Sequence, residues 1–356
     1  VSNYATAVLA KGQAIVTEKN QQPEQRRKIP TVFELAVKNQ EYSIPDANEL
    51  RKSPLRPVEI NFFTDVAAGN STAKAYNHTG SYGDSGKVQL VYVQHVETFG
   101  IPRKIADNSI MTYQQIFNNL YEMKWKNLRT RHDTSALAFL YANRAQLDAA
   151  TMNPQVAPAG FGAGGANGSW NASSFAIEIS ADQKNRFIQQ VKSVMAARKL
   201  TGEYDIVSDL QNAANFDFQS QQGQGNQANT QFQFAGTNIS TTQDIIDGSY
   251  NLGSILCLPA GYFAGMYWNE ALNKRGVDDD PGGAIGILGT IADPFGSGAV
   301  ADLSMYTQRA DTSANTSGGS TQDIVDQWEL TLTLAYALPP LSATGDSVVM
   351  EFAQAS

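Results

Sequence analysis

The residues best suited to chemistry in this chain are few and scattered. Asp278-Asp279-Asp280 sets three carboxylates ahead of Pro281-Gly282-Gly283, a group that could hold Ca²⁺ or Mg²⁺. It lacks the alternating ligand positions of a calcium loop, so an exposed acidic turn is the better reading. His132-Asp133 has the composition of an acid/base pair. Followed by Thr134 and Ser135 it reads more readily as a helix cap, and no GxSxG motif accompanies it. The glycine-rich run 160–168 has neither the GxGxxG spacing nor the Lys-Ser/Thr ending of a phosphate loop. Cys257 is the only cysteine, which excludes an intrachain disulfide and a multi-thiolate zinc site. His78, His95 and His132 lie far apart in sequence, with no HExxH pattern among them. No catalytic, cofactor-binding or metal-ligating set emerges, and the chain reads as a non-enzyme with no cofactor.

Two basic clusters remain. Lys124, Lys126, Arg129 and Arg131 fall within eight residues, and Arg26-Arg27-Lys28 forms a triplet near the start. Either set could meet nucleic acid or a neighbouring subunit, and for a single residue a solvated charge is the simpler reading. With 26 Lys plus Arg against 34 Asp plus Glu, the net charge is −8, which argues against a free-standing nucleic-acid binder. Six Asn-x-Ser/Thr triplets, at Asn70, Asn77, Asn167, Asn171, Asn238 and Asn315, sit in Asn/Ser/Thr-rich stretches where chance produces them. Residues 1–14 lack the apolar core of a signal peptide. Residues 248–269 carry no charge, but Asn251, Ser254 and Pro259 interrupt them, so a buried core segment is expected there rather than a membrane span. Gly261 and Gly265 then mark tight packing.

The elements that would position these residues are legible in order. A hydrophobic content of 42% supports a sizeable core. Residues 1–56 are polar and punctuated by prolines, with one short helix after Thr31, where Thr31 and Glu34 form a capping box before Leu35 and Val37. Residues 57–64 and 87–98 alternate as the two legs of a hairpin. The intervening 65–86 tip is far longer than an ordinary hairpin turn, which suggests an extension with a use. Residues 109–147 hold no Pro and no Gly. Tyr113, Ile116, Phe117, Leu120 and Tyr121, then Leu137, Leu140, Tyr141 and Ala145, recur at helical spacing on either side of the basic stretch. Unbroken, that helix would be about 58 Å long; a break near Asp133 would give two.

Further on, Ser180 and Gln183 suggest a capping box for a helix over 180–199, with Phe187, Ile188, Val191, Val194 and Met195 on one face and Gly202 ending it. Short strands are expected at 204–207, 255–258 and 285–288. The strongest period-two signal is 327–338, where Trp328, Leu330, Leu332, Leu334, Tyr336 and Leu338 share a face. Residues 348–352 are expected to return antiparallel to it. There is no internal repeat.

This order, an arm, a long-tipped hairpin, a long helix, a middle region and closing strands, resembles the major capsid proteins of tailed double-stranded DNA bacteriophages. The residues that carry the resemblance are 113–146, 329–338 and 348–352, within an architecture that spans nearly the whole chain. The resemblance implies an α+β fold of the Hong Kong ninety-seven type. It divides the chain into an N-terminal arm (1–56), an extended-loop hairpin (57–104), a peripheral domain with the spine helix (105–150), an axial domain with inserted loops (151–321) and a return to the peripheral sheet (322–356). It further implies self-assembly into hexamers and pentamers of an icosahedral shell around double-stranded DNA, assembled in the host cytoplasm and located in the virion. Portal, scaffold and decoration proteins are the implied partners, with no membrane.

Intersubunit contacts would then fall on Lys74, Tyr76 and Tyr82 in the tip and on Arg26, Arg27 and Lys28 in the arm. Lys124, Lys126, Arg129 and Arg131 would touch DNA non-specifically or meet a neighbour's acids. Some relatives of this type join the loop to a neighbour through a Lys–Asn bond. Lys74 is eligible, but no partner Asn or catalytic carboxylate can be matched here. An encapsulin-type compartment and a non-shell surface fibre are the alternative readings.

Overall fold

The computed structural model describes residues 31–39, 58–63, 85–103, 112–155, 161, 165–213, 216, 236–270, 286–311, 322–339 and 346–355. The framework is a long helix laid across one sheet, with a second sheet at its C-terminal end. The long helix, Tyr113–Ala142, is 30 residues, about 45 Å at its ordinary rise. It starts four residues later than its Pro- and Gly-free stretch because Thr112 and Gln115 form a capping box, Thr112 Oγ1 accepting from Gln115 N at 3.3 Å and Gln115 Oε1 from Thr112 N at 3.0 Å. It does not break near Asp133. Phe117, Tyr121, Trp125, Leu128, His132, Ala136 and Leu140 are all buried at spacings of three and four, so the apolar stripe runs straight through the basic stretch. His132 and Asp133 belong to that stripe and cap nothing on their own helix.

A five-stranded antiparallel sheet lies beneath. Its hub is β12 (Gln322–Ala337), paired with β11 (Val300–Asp311), with β3 (Tyr92–Pro102) and, at its far end, with β9 (Ala264–Trp268); β10 (Gly286–Ala292) extends it beyond β11. The alternating face expected on 327–338 is buried, Trp328, Leu330, Leu332 and Leu334 completely. Those residues pack with Phe99, Phe117, Tyr121, Trp125 and Leu128 as the larger core. Phe117 meets Trp328 edge to face at 4.8 Å between ring centroids.

A short helix, α1 (Val32–Lys38), docks on this body; the long helix is α2. Thr31 caps α1 as expected, accepting from Glu34 N at 3.3 Å. Glu34 does not complete the box, because its carboxylate pairs with Arg129 of α2. Val32, Phe33, Leu35, Ala36 and Val37 are buried. A Cβ placed on Gly265 of β9 would lie 3.1 Å from Ala36 Cβ, so the absence of a side chain at Gly265 is what lets α1 approach the sheet.

The second core joins a six-stranded sheet to helices at its face. Its order is β4 (Gly168–Asn171), β5 (Ala176–Ile179), β13 (Met350–Gln354), β8 (Ser254–Pro259), β6 (Tyr204–Ser208) and β7 (Thr237–Thr241). The helices are α3 (Ala149–Gln155) and α4 (Phe187–Ala197), and the expected face of Phe187, Ile188, Val191, Val194 and Met195 is buried against Ile206, Ile255, Cys257 and Phe352. α4 is shorter than 180–199. Its first turn, Ala181–Arg186, is 3₁₀, and the Ser180 carbonyl, not its hydroxyl, accepts from Gln183 N at 2.8 Å. The reversal falls at Lys199, with φ 63°, rather than at Gly202.

The expectation that 348–352 pairs with the preceding long strand is corrected. Both edges of β12 are already occupied, so the chain crosses over and β13 inserts between β5 (parallel) and β8 (antiparallel). Strand membership likewise departs from the 151–321 and 322–356 divisions, since β9, β10 and β11 join the sheet of β12 while β13 leaves it. The uncharged 248–269 stretch resolves into buried β8 and β9, and among the described residues no helix is long and apolar enough to cross a membrane.

Gly265→Val should force α1 off its seat and lower stability by about 1–3 kcal/mol, as overpacking does. Urea unfolding would read the loss, and an unchanged midpoint would count against this packing.

Candidate functional site: the junction of arm, hairpin and long helix

The expected site residues separate into two groups. Lys74, Tyr76, Tyr82, Arg26, Arg27 and Lys28 lie outside the described residues, as do Asp278-Asp279-Asp280 and His78. Lys124, Lys126, Arg129 and Arg131 lie on α2, and three of them meet carboxylates of their own chain.

Glu97 of β3 is buried and holds Lys124 Nζ at 3.0 Å and an Arg131 guanidinium nitrogen at 3.0 Å. Arg129 pairs with Glu34 of α1 and lies 3.7 Å from the carboxylate of Asp293, its guanidinium 5.2 Å from the centre of the Phe295 ring. Lys126, on the exposed side, has its ammonium 5.7 Å from the same ring. The basic stretch thus ties β3, α1 and the 293–295 turn to one helix. Sequence reading missed Glu97 and Asp293 because nothing local marks them. Glu34 was assigned to the cap it only half serves.

The same pattern recurs around the junction. Asp133 receives Phe33 N on one oxygen at 3.1 Å and the Thr242 hydroxyl on the other at 3.1 Å, so a carboxylate of α2 caps the start of α1. At the other end of α1, Asn39 donates to Asp205 at 3.4 Å, and Asp205 also receives Asn238 and Gly261 N. Fully buried Asp326 receives Arg103, the Tyr113 hydroxyl at 3.1 Å and the Thr307 hydroxyl at 2.9 Å. Each carboxylate joins elements far apart in sequence.

The hairpin forms, but its second leg is shorter than the expected 87–98: it ends at Leu90, and residues 92–98 belong to β3, which pairs with β12. β1 (Val58–Phe63) and β2 (Ser85–Leu90) pair antiparallel from Val58↔Leu90 to Phe63↔Ser85, as a two-stranded sheet of their own. Leu90 anchors its base among Ala264, Met266, Ala335 and Ala337, and the chain runs on through Val91 into β3.

Burial pushes the His132 imidazole down to about 3, with His95 adding to the shift and the Leu332 carbonyl opposing it. His95 is lowered as well, by burial and then by Arg131. Burial raises the Asp133 carboxyl, against the hydrogen bonds from Phe33 and Thr242. In the second core, burial pushes Glu351 up to about 7, although Arg144 stands 2.9 Å away. Among the described residues no cluster of His, Cys, Asp and Glu has the arrangement of a metal site. The arrangement fastens segments distant in sequence to one another.

No protein-family model matches the sequence, and no curated protein matches it. Among solved structures, a chain of Mycobacterium phage Che8 is similar over 92% of this chain and 93% of its own, with 11% identity and a TM-score of 0.50. A chain of the cyanophage Pam1 capsid asymmetric unit is similar over 86% and 87%, with 9% identity and a TM-score of 0.46. A chain of the cyanophage P-SCSP1u capsid structure is similar over 85% of each, with 12% identity and a TM-score of 0.42. At such an identity the Che8 likeness shows a shared fold with that phage chain, and the expected α+β class is borne out by the helices and two sheets described above.

Arg129→Ala should lower stability by about 3 kcal/mol, since it leaves buried Asp293 without its cation. Lys126→Ala should stay within about 0.5 kcal/mol. Paired chemical-denaturation curves would check both, and equal effects would show that Arg129 is not the tie described. The two cores should also answer acid with opposite sign. His132 titrates near 6.5 in the unfolded chain and about 3 in the folded one, so its contribution is complete above pH 6.5 and lost on acidification, roughly 2 kcal/mol of it by pH 5. Glu351 moves from 4.5 unfolded to about 7 folded, so its contribution is present below pH 4.5 and lost as pH rises through 7; going from pH 7 to 5 restores roughly 2 kcal/mol. Urea titrations should find the parent chain nearly flat between pH 7 and 5. His132→Gln should gain stability on acidification, and Glu351→Gln should lose it.

Proposed function

We propose that the chain is the major capsid protein of a tailed bacteriophage, assembling into hexamers and pentamers of an icosahedral shell around double-stranded DNA. The observation that carries this reading is the fold shared end to end with the phage Che8 chain, 92% of one against 93% of the other. The architecture supports it. A body of two sheets and a long helix carries the β1–β2 ribbon, which forms a two-stranded sheet of its own. Such a ribbon is marginally stable by itself in water. A neighbouring copy covering it would complete it.

On this reading the tip residues Lys74, Tyr76 and Tyr82 lie over one neighbour, and Arg26, Arg27 and Lys28 run along another. Packaged DNA is met without sequence preference. The pairing of Lys124, Arg129 and Arg131 with carboxylates of their own chain assigns them first to the fold, and leaves Lys126 as the basic side chain of α2 best placed for an outside contact. Shell contacts of this kind are individually weak and act together through multivalency. The activity is geometric, and portal, scaffold and decoration proteins would complete the virion.

Expression of the chain alone, or with its scaffold, followed by negative-stain electron microscopy should show closed polyhedra or capsomer-like rings. Elongated rods or trimers would overturn the reading, and closed shells filled with a cargo enzyme and no genome would move it to a cellular compartment. Deleting Gly69 to Ser85 should leave a folded subunit that no longer assembles, whereas normal shells from that deletion would remove the hairpin tip from the interface.

A further inference from the structure

His95 and His132 meet edge to face, with ring centroids 4.5 Å apart, at the point where the arm, the hairpin-bearing strand and the long helix converge. Their hydrogen bonds assign the protons. Ser135 Oγ donates to the Arg131 carbonyl at 3.0 Å, so His95 Nε2, 2.9 Å away, must donate to Ser135. His132 Nε2 faces the Leu332 carbonyl at 3.0 Å and donates there. Each neutral ring therefore keeps Nδ1 as its basic atom. His132 Nδ1 lies 3.2 Å from the Tyr336 hydroxyl, which donates to the His132 carbonyl at 3.0 Å, so the Tyr336 oxygen is ready to accept a proton placed on Nδ1. Hydrogen-bond geometry thus admits a charged His132; what opposes it is charge and dryness.

The surroundings offer little compensation. Arg131 stands beside His95 and is paired with Glu97, which also holds Lys124. Glu34 on α1 is engaged by Arg129. Asp133 is directed to Phe33 N and Thr242, and Asp244 accepts from the Thr134 hydroxyl at 2.6 Å. Two imidazolium rings at this separation repel, and His132 is sealed from water by the arm helix, whose Phe33 ring stacks on it at 5.9 Å. Of the packed elements, α1 is the one that can leave at least expense. It has seven residues, whereas β3 and β12 are paired over eleven positions from Val325↔Pro102 to Ala335↔Tyr92.

We propose that His95 and His132 form an acid-released latch for the arm helix: protonation of the pair undocks α1 from the long helix while both large sheets stay formed. Water then reaches the charged rings, and the first stretch of chain is freed from the body. The device belongs to the isolated subunit, so its test does not depend on shell assembly.

Amide hydrogen exchange on the full chain at pH 7.5 and 5.0, with rates divided by their intrinsic values, reads the latch directly. The amides of 33–39 should open about 30-fold more at pH 5.0, the shift expected if His132 regains its ordinary affinity for protons on release. Amides of 204–208 and 255–258, in the six-stranded sheet, should not change. His132→Gln keeps a donor for Leu332 and should abolish the response. If that variant does not fold, His95→Gln, at the less buried ring, should reduce it. Asp133→Asn keeps an acceptor for Phe33 N and should leave the acid response intact. Equal protection of 33–39 at both pH values, an unchanged response in the histidine variants, or a response lost only in Asp133→Asn would each overturn the proposal.

Discussion

The packing of the long helix across β12 is the interaction on which the remaining structure depends. Phe117, Tyr121, Trp125 and Leu128 on one side and Trp328, Leu330, Leu332 and Leu334 on the other remove a continuous strip of large side chains from water, and burial of such side chains is the main favourable term in folding. Its two ends are closed by polar groups. Near one end, Trp328 Nε1 donates to the Tyr113 hydroxyl, which donates to Asp326. Farther along, His132 joins Leu332 and Tyr336. A dry strip of interlocked large side chains with polar groups fixed near its ends favours one register, so helix and sheet behave as one body.

Onto that body the other segments are fastened mostly by carboxylates. Asp133 and Glu34 hold α1, Glu97 ties β3 to α2, Asp205 brings the end of α1 to the six-stranded sheet, and Asp326 binds the start of α2 to β12. Several of the acids in the composition are thus placed inside the molecule rather than on its surface. Buried acids are costly to desolvate, so each needs its donors, and losing one donor leaves a penalty larger than the bond itself was worth. That asymmetry gives the chain few alternatives to the arrangement seen.

The joint between the two sheets follows the same logic. Arg144, just past the end of α2, stacks on Tyr141 at 3.6 Å, pairs with Glu351 of β13 and donates to the Ser174 carbonyl. Beyond α4, Arg198 pairs with Asp346 and donates to the Ser347 carbonyl. Two arginines with forked donors thereby bridge helix ends to the crossover that carries the chain into β13. Planar, always-charged groups suit this place, where several carbonyl and carboxylate oxygens from separate segments converge.

The sequence by itself determined the elements that answer to a local period. The stripe of α2, the alternation of β12, the cap of α1 at Thr31, the buried face of α4 and the existence of the hairpin were all legible, because helical and strand periods depend only on which neighbours along the chain are apolar. Of the two glycines expected to mark tight packing, Gly265 does so against α1, whereas a Cβ on Gly261 would meet nothing within 4 Å. What only the tertiary structure decided was everything set by competition for partners. Residues 348–352 have the right composition to pair with β12, but β12 had no edge left, and β13 went to the other sheet. His132-Asp133 has the composition of a cap, but the stripe continued through it, turning both inward, where Asp133 caps a helix a hundred residues away. Lys124, Arg129 and Arg131 look like an outward basic face until Glu97, Glu34 and Asp293 arrive from three other segments. Edge occupancy and long-range charge pairing are properties of the assembled chain, and no local pattern of residues encodes them.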